Sequence, residues 1–408
     1  MRILFLSIFF MLNLFAEQIM QVKNTAGITN STQNVTIHSN FTDPNTCKSC
    51  HREQMRLWQN SWHSNNNSQL YNTIVQIVAT ERNELKAQTL IGCSSCHNPH
   101  LNLKKINNNY LYSKVFGLKN SKTEEIDEII ENSKKLSGIS CYVCHKIDAI
   151  DNNESKTGTE LIKWVKNKEL FTGPYKNIKD TAHKNEHRSH FDGNNQICVV
   201  CHNGIPSKNK DGSLNYASAY NTGFEMIETD KKCIDCHMGE PYEITILDKN
   251  GKDQRFQTRP HLFNGAHDIT KLREGFRFAY KDGVLSVKNT TPHVAPTGFG
   301  SRLLDVNITY FDKDDKVLEN KIEEITSKYE KDGSPTFQYL ADLLSFDSRL
   351  APNEERLYEL EFPPNAASAR IVVHYHYIHP QLVEKYKIEL PSDVIKPVEL
   401  FNHYFKLK

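Results

Sequence analysis

The chain has 408 residues, with 50 Lys and Arg against 49 Asp and Glu and a formal net charge of +1. That balance, with no sustained basic stripe, argues against a nucleic-acid binder, and the length allows two or three domains. Hydrophobic content is 38% and mean hydropathy −0.59, lean for a chain this long and easier to accept if something large and apolar other than side chains fills the interior.

The opening stretch, MRILFLSIFFMLNLFA (1–16), has one positive charge, an apolar run and a small residue before Glu17. It reads as a secretory signal peptide cleaved near Ala16. The run falls short of the roughly 18–20 apolar residues a spanning helix needs, and no later stretch reaches that length. The mature chain is thus expected outside the cytoplasmic membrane and not as an integral membrane protein. Residues 17–46, rich in Asn, Thr and Ser, read as a polar leader.

The ten cysteines come in five pentapeptides: CKSCH (Cys47, Cys50, His51), CSSCH (Cys93, Cys96, His97), CYVCH (Cys141, Cys144, His145), CVVCH (Cys198, Cys201, His202) and CIDCH (Cys233, Cys236, His237). Two thiols three positions apart can form thioethers to the two vinyl groups of one haem, and the next residue, histidine, is then held as the iron's proximal ligand. Five disulfides would leave the histidine after every second cysteine unexplained. Zinc knuckles need reduced thiolates, which are uncommon outside the cell, and five thioredoxin-like pairs lack the accompanying fold. Five covalently attached haems c are therefore expected.

Between these sites the sequence predicts one helix over residues 68–89. A second should begin at Thr123 as N-cap and end before Gly138, and a third, short one should open near Thr159. Of 18 histidines five are proximal. Eight more lie between His63 and His293, enough to supply a second axial ligand to every iron. A second histidine saturates the iron and suits electron transfer, whereas a vacant position admits substrate. His63, after Trp58 and Trp62, is one candidate. His100, three residues beyond His97, is better placed to reach a neighbouring haem than its own. In TAHKNEHRSHF, His190 leads on its closeness to Cys198, with His187 and His183 behind. His261, His267 and His293 complete the candidates.

After residue 280 the pattern changes to alternation with a period of two. GVLSVKNTT, SRLLDVNITYF, RLYELEFP and ARIVVHYHYI are predicted strands, and Asp312–Lys316 a turn between two of them. His374 and His376 should share one face and Tyr375 and Tyr377 the other; a metal there is a lesser alternative to a half-buried strand with a polar face. The expected fold is a mostly α-helical and loop multihaem region (47–280), then a β-rich, sandwich-like C-terminal domain (281–395) and a tail (396–408) suited to cover a sheet edge or meet a partner.

These motifs resemble the multihaem cytochrome c superfamily, in particular the group of the periplasmic tetrahaem electron carriers of ammonia-oxidising bacteria. The likeness rests on W-x-x-S-x-H (Trp58, Ser61, His63), on His237, Met238 and Pro241, on H-x-F-x-G (His261, Phe263, Gly265) and on Asn289, His293, Pro296, Thr297, Gly298 and Arg302. It implies axial roles for His63, His261 and His293 and a periplasmic, Gram-negative setting. The chain departs from those carriers in having five attachment sites and a β-rich addition. It also lacks the C-x-x-C-K site of relatives that reduce nitrite to ammonia. The expected function is electron transfer between redox proteins, such as a membrane quinol dehydrogenase or a periplasmic reductase, in anaerobic or microaerobic respiration. The alternative is an oxidoreductase acting on a small nitrogen or sulfur species at one open haem, with His267 and unused members of the His183–His190 cluster as acid–base groups.

Overall fold

The computed structural model describes residues 36–407 except 38–40, 66–67, 103–107, 135, 137, 154–155, 177, 179–181, 194, 205–206, 209–213, 216–221, 224 and 248–251. The expected signal peptide and most of the leader lie outside the described residues. Thr36–Lys408 forms one compact unit. No described helix is long and apolar enough to cross a membrane.

The first part is built of short helices joined by loops and two-stranded pairings. The helix Arg52–Gln59 buries Met55 and Trp58, and the Trp58 indole donates to the Ile139 carbonyl at 2.8 Å. The helix expected over 68–89 is instead two. Gln69–Glu81, capped by Ser68, closes at Arg82; Asn83 then takes a left-handed φ of 54°, and Lys86–His97 starts afresh. Asn tolerates that conformation, so the chain reverses there and the two helices pack side by side. The next expected helix runs Ser121–Lys134, and its cap is Asn120 rather than Thr123. The Asn120 carboxamide oxygen accepts from the Thr123 N–H at 3.0 Å, and the Thr123 hydroxyl accepts from the Asn120 N–H at 3.1 Å.

The helix expected near Thr159 is only a 3-10 turn, Gly158–Leu161, and the chain continues as the strand Ile162–Trp164. That strand pairs antiparallel with Ile147–Ile150, where branched and aromatic side chains suit a pleated surface. Leu170–Gly173 and Lys184–His187 pair in parallel.

The second part is a sandwich. Phe276–Lys281, Val284–Asn289 and Glu355–Glu359 form a three-stranded antiparallel sheet. The larger sheet is centred on Leu303–Phe311, flanked by Val317–Lys331 and Ser368–His376. Alternation sets its inner face: Leu304, Val306, Ile308 and Tyr310 stand opposite Tyr375, Val373, Ile371 and Ala369. These pack with Leu285 and Val287 of the smaller sheet. Asp312–Lys316 makes the expected turn, its Asp312 carboxylate accepting from the N–H groups of Asp314 and Lys316. The segment expected as a tail carries the strand Val398–Lys406, which pairs with Ser368–His376 at the sheet edge.

Several contacts tie the two parts together. Arg349 pairs with Glu225 at 2.7 Å, with both side chains mostly buried. The Arg82 guanidinium donates to the Tyr339 carbonyl at 2.7 Å, and Met226 and His293 form a β-bridge.

Candidate functional site

Four of the five pentapeptides lie on helices: the end of Lys86–His97, then Cys141–His145, Gln196–His202 and Cys233–His237. A helix puts positions i, i+3 and i+4 on one face, so each pair of thiols and its histidine point the same way. The first pentapeptide differs: its cysteines sit on and just past the 3-10 turn Pro44–Ser49, and His51 precedes the helix Arg52–Gln59. All ten cysteines and all five proximal histidines line one continuous cavity of about 3080 Å³. An ordinary small-ligand pocket is about 300–1,000 Å³, so this interior is made for several large groups.

Thiols of different pentapeptides meet. Cys47 lies beside Cys141, Cys96 beside Cys201, and Cys198 beside Cys233, close enough to perturb one another. Each contact lowers the pKa of one thiol (Cys47, Cys96, Cys233) and raises that of its partner. Sites one and three, two and four, and four and five are thereby brought side by side. Cys50 is the exposed cysteine of the ten.

The histidines give the sharpest geometry. A metal–imidazole bond is about 2.0–2.1 Å, so two imidazoles on opposite sides of one ion have ring centroids about 6–6.5 Å apart. His51 and His183 are 6.2 Å apart, His63 and His202 6.2 Å, and His145 and His261 6.4 Å. Each pair joins a proximal histidine to one distant in sequence. His267 and His293 both lie within electrostatic reach of His237. Tyr71 stacks on His97 at 4.9 Å, closer than two ligands of one ion would stand.

The rings are held by one nitrogen. Nδ1 of His145 donates to the Thr172 carbonyl at 2.8 Å, Nδ1 of His261 to Arg259 at 3.0 Å, Nδ1 of His293 to Val294 at 2.9 Å, and Nδ1 of His237 to Asn264. A backbone acceptor fixes the tautomer and leaves Nε2 with its lone pair for a metal. Burial, with smaller repulsions from neighbouring histidines, pushes His63 down to about 3 and His202 to about 4, and burial brings His97 to about 4. His261 is also lowered to about 4, chiefly by burial. These imidazoles are neutral near pH 7, as a ligand must be. Paired thiols, neutral imidazoles and a large shared cavity fit haem.

Not every expected ligand is brought to the cavity. His63, His190, His261 and His293 line it, as do His183 and His267. His100 is fully buried outside this lining; its Nε2 bonds to the Gly138 carbonyl at 2.9 Å, and Phe41 packs edge-on against it. That hydrogen bond ties the start of the strand Leu101–Asn102 to the segment before Cys141. His187 pairs with Asp192 at 2.7 Å. His190 packs on Phe191, which stacks on His145. The ring opposite His51 is that of His183, ranked last of its cluster on closeness to Cys198. Its true neighbour is set by the parallel strand pair, which no local pattern announces. His374 and His376 both bond to Asp305, at 3.3 and 2.8 Å. Among the described residues no group of three or more His, Cys, Asp or Glu is arranged to hold a metal ion.

Comparison with known proteins agrees with this geometry. The family described as "Cytochrome c554 and c-prime" matches residues 46–146. No curated protein matches the chain. The crystal structure of a penta-heme cytochrome c552 from Thermochromatium tepidum is similar at 18% identity, covering 90% of this chain and 99% of that one with a TM-score of 0.65. An endonuclease/exonuclease/phosphatase from Beutenbergia cavernae aligns at 11% identity over 41% of this chain and 27% of that one, with a TM-score of 0.13, and carries no argument. The chain has a multihaem cytochrome c-like fold, a helical and loop region followed by a β-rich one.

Proposed function

We propose that the mature chain is a periplasmic c-type cytochrome with five covalently attached haems, transferring electrons between redox partners in anaerobic or microaerobic respiration. The observation that carries this reading is the convergence of all five pentapeptides on one cavity, with three histidine pairs spaced for a shared ion. When bound, haem supplies a one-electron couple at iron.

The chain's own residues do the rest. Cys47 and Cys50, Cys93 and Cys96, Cys141 and Cys144, Cys198 and Cys201, and Cys233 and Cys236 would attach the groups. His51, His97, His145, His202 and His237 would be the proximal ligands. His183, His261 and His63 would stand opposite His51, His145 and His202, and His293 is assigned to His237 with His267 in reserve. Backbone carbonyls hold four of these rings in place, which limits rearrangement when charge moves. Side-by-side pentapeptides, with Cys144 of the third within electrostatic reach of Cys198 and Cys201 of the fourth, would give a route from site to site, and the exposed Cys50 favours the first as the place of exchange with a partner.

Intact mass of the purified, periplasmically matured protein should exceed the apo chain by five haems; fewer than four sinks the reading. EPR and optical spectra with and without nitrite, hydroxylamine, sulfite or carbon monoxide then separate carrier from enzyme. Low-spin haem indifferent to all four ligands supports the carrier. A stoichiometric high-spin haem that binds one of them, with turnover from an artificial donor or acceptor, replaces it with an oxidoreductase of small nitrogen or sulfur species.

A further inference from the structure

Lys146 directly follows the third pentapeptide, and its side chain is fully buried. Its Nζ donates to the Lys168 carbonyl at 2.7 Å and to the Leu170 carbonyl at 2.6 Å, and it lies 3.7 Å from the Phe171 ring centroid. All three neighbours are electron-rich. A neutral amine would turn a lone pair on one of them; an ammonium has three N–H groups and satisfies them all. These contacts are two carbonyl dipoles and a ring face, with no carboxylate among them.

The surroundings connect this cation to two ligand sets. The strand Leu170–Gly173 takes Lys146 on the Leu170 carbonyl and His145 Nδ1 on the Thr172 carbonyl. Phe171, between those positions, packs at 4.7 Å on His183, which faces His51. Lys146 is also within electrostatic reach of Cys47 and His183. We infer that Lys146 is a fixed buried cation that raises the reduction potential at the first and third attachment sites, biasing electrons toward that end of the chain. The inference rests on the reading that those two sites hold haem.

The sign follows from charge: reduction adds an electron, and a nearby cation favours the more negative state. At an effective dielectric constant of about 20, a unit charge within about 10 Å shifts such an equilibrium about tenfold. The lysine acts as a positioning charge and touches no reacting atom.

The test is an optical redox titration of full-length, haem-loaded Lys146→Met, Lys146→Gln and Lys146→Arg. The two neutral variants should lower the reduction constant of one or two haems about tenfold, about 59 mV for a one-electron couple, with low-spin spectra unchanged. Lys146→Arg should stay within about threefold of the parent protein. Neutral variants that keep all their haems and every midpoint would overturn the inference. So would loss of haem in both neutral variants with full loading in the arginine one, since Lys146 would then serve folding only. A parent protein without haem mass at these sites would instead defeat the reading underneath.

Discussion

Replacing His183 by Ala should remove one distal ligand and leave the other haems as they are. His183 faces His51 across 6.2 Å with an interplanar angle of 36°, and Phe171 fixes its ring from the side at 4.7 Å. Alanine cannot span that gap, and no other histidine forms a ring contact with His51 among the described residues. The loss should be one haem's share of the low-spin intensity. EPR spin quantification of His183→Ala should show that loss, with a matching high-spin signal and a new carbon monoxide band. The control is His190→Ala. His190 packs on Phe191, whose ring stacks on His145, and His145 is already opposite His261. Its loss should leave the low-spin intensity within error. The reverse outcome, with His190→Ala losing that share and His183→Ala none, would refute assignment by ring spacing.

Three further outcomes follow from the structure. Ile371→Ala, at a fully buried position in the larger sheet, should cost about 2–5 kcal/mol in denaturant unfolding; a cost under about 1 kcal/mol would contradict the packed interior. Asp305→Asn tests the polar face. Burial pushes that carboxyl up, but the His376 hydrogen bond and the charges of His376 and His374 outweigh it, and the net direction is below 3.8. A lowered folded pKa stabilises above the unfolded value and fades as pH falls through the folded one. The melting-temperature gap between parent and variant should therefore be full well above pH 3.8 and close below it; a gap that widens on acidification would be wrong for this sign. Finally, expression of residues 17–280 alone should give fewer than five haems by pyridine haemochrome assay, because the missing part includes His293, Arg302, Tyr375 and Tyr377 of the cavity lining. Full loading would show that the attachment region closes without the sandwich.

Some of this was legible in the sequence because a local constraint wrote it there. Thioether attachment of haem would demand two cysteines and a histidine at fixed spacing, so the pentapeptides stand out in any fold, and the structure gathers all five on one cavity. The sandwich strands alternate because each has one face on the core: Leu304, Val306, Ile308 and Tyr310 are buried and Asp305, Asn307 and Thr309 are not. Where pairing is non-local the signal disappears. Ile162–Trp164 continues a stretch of helical composition and becomes a strand because Ile147–Ile150 is there to receive it. The break at Asn83 depends on a single left-handed residue within an otherwise continuous apolar rhythm. His183 and His190 are indistinguishable by composition, and only the register Leu170↔Lys184 brings the former opposite His51. Lys146 gave no signal either, since a lysine after a histidine ordinarily reads as surface.

The lean composition finds its explanation in where the apolar residues went. The large buried cluster draws on the sandwich and the helix leading into it, with Val78 as its buried member from the attachment region. Within that region the short helices turn their cysteines and histidines toward a cavity of about 3080 Å³. Conformational entropy of about 1–2 kcal/mol per ordered residue must be offset there by something other than side-chain packing. On the proposed reading, haem held by two thioethers and two histidines from distant segments would supply it, because each such ligation would close a long loop and bury a large apolar ring. The sandwich, which has its own interior, can form first and present Phe299, Tyr375 and Tyr377 as a finished wall. On that reading the β-rich part would be the support against which the pentapeptide region condenses, with loading and folding of that region coupled.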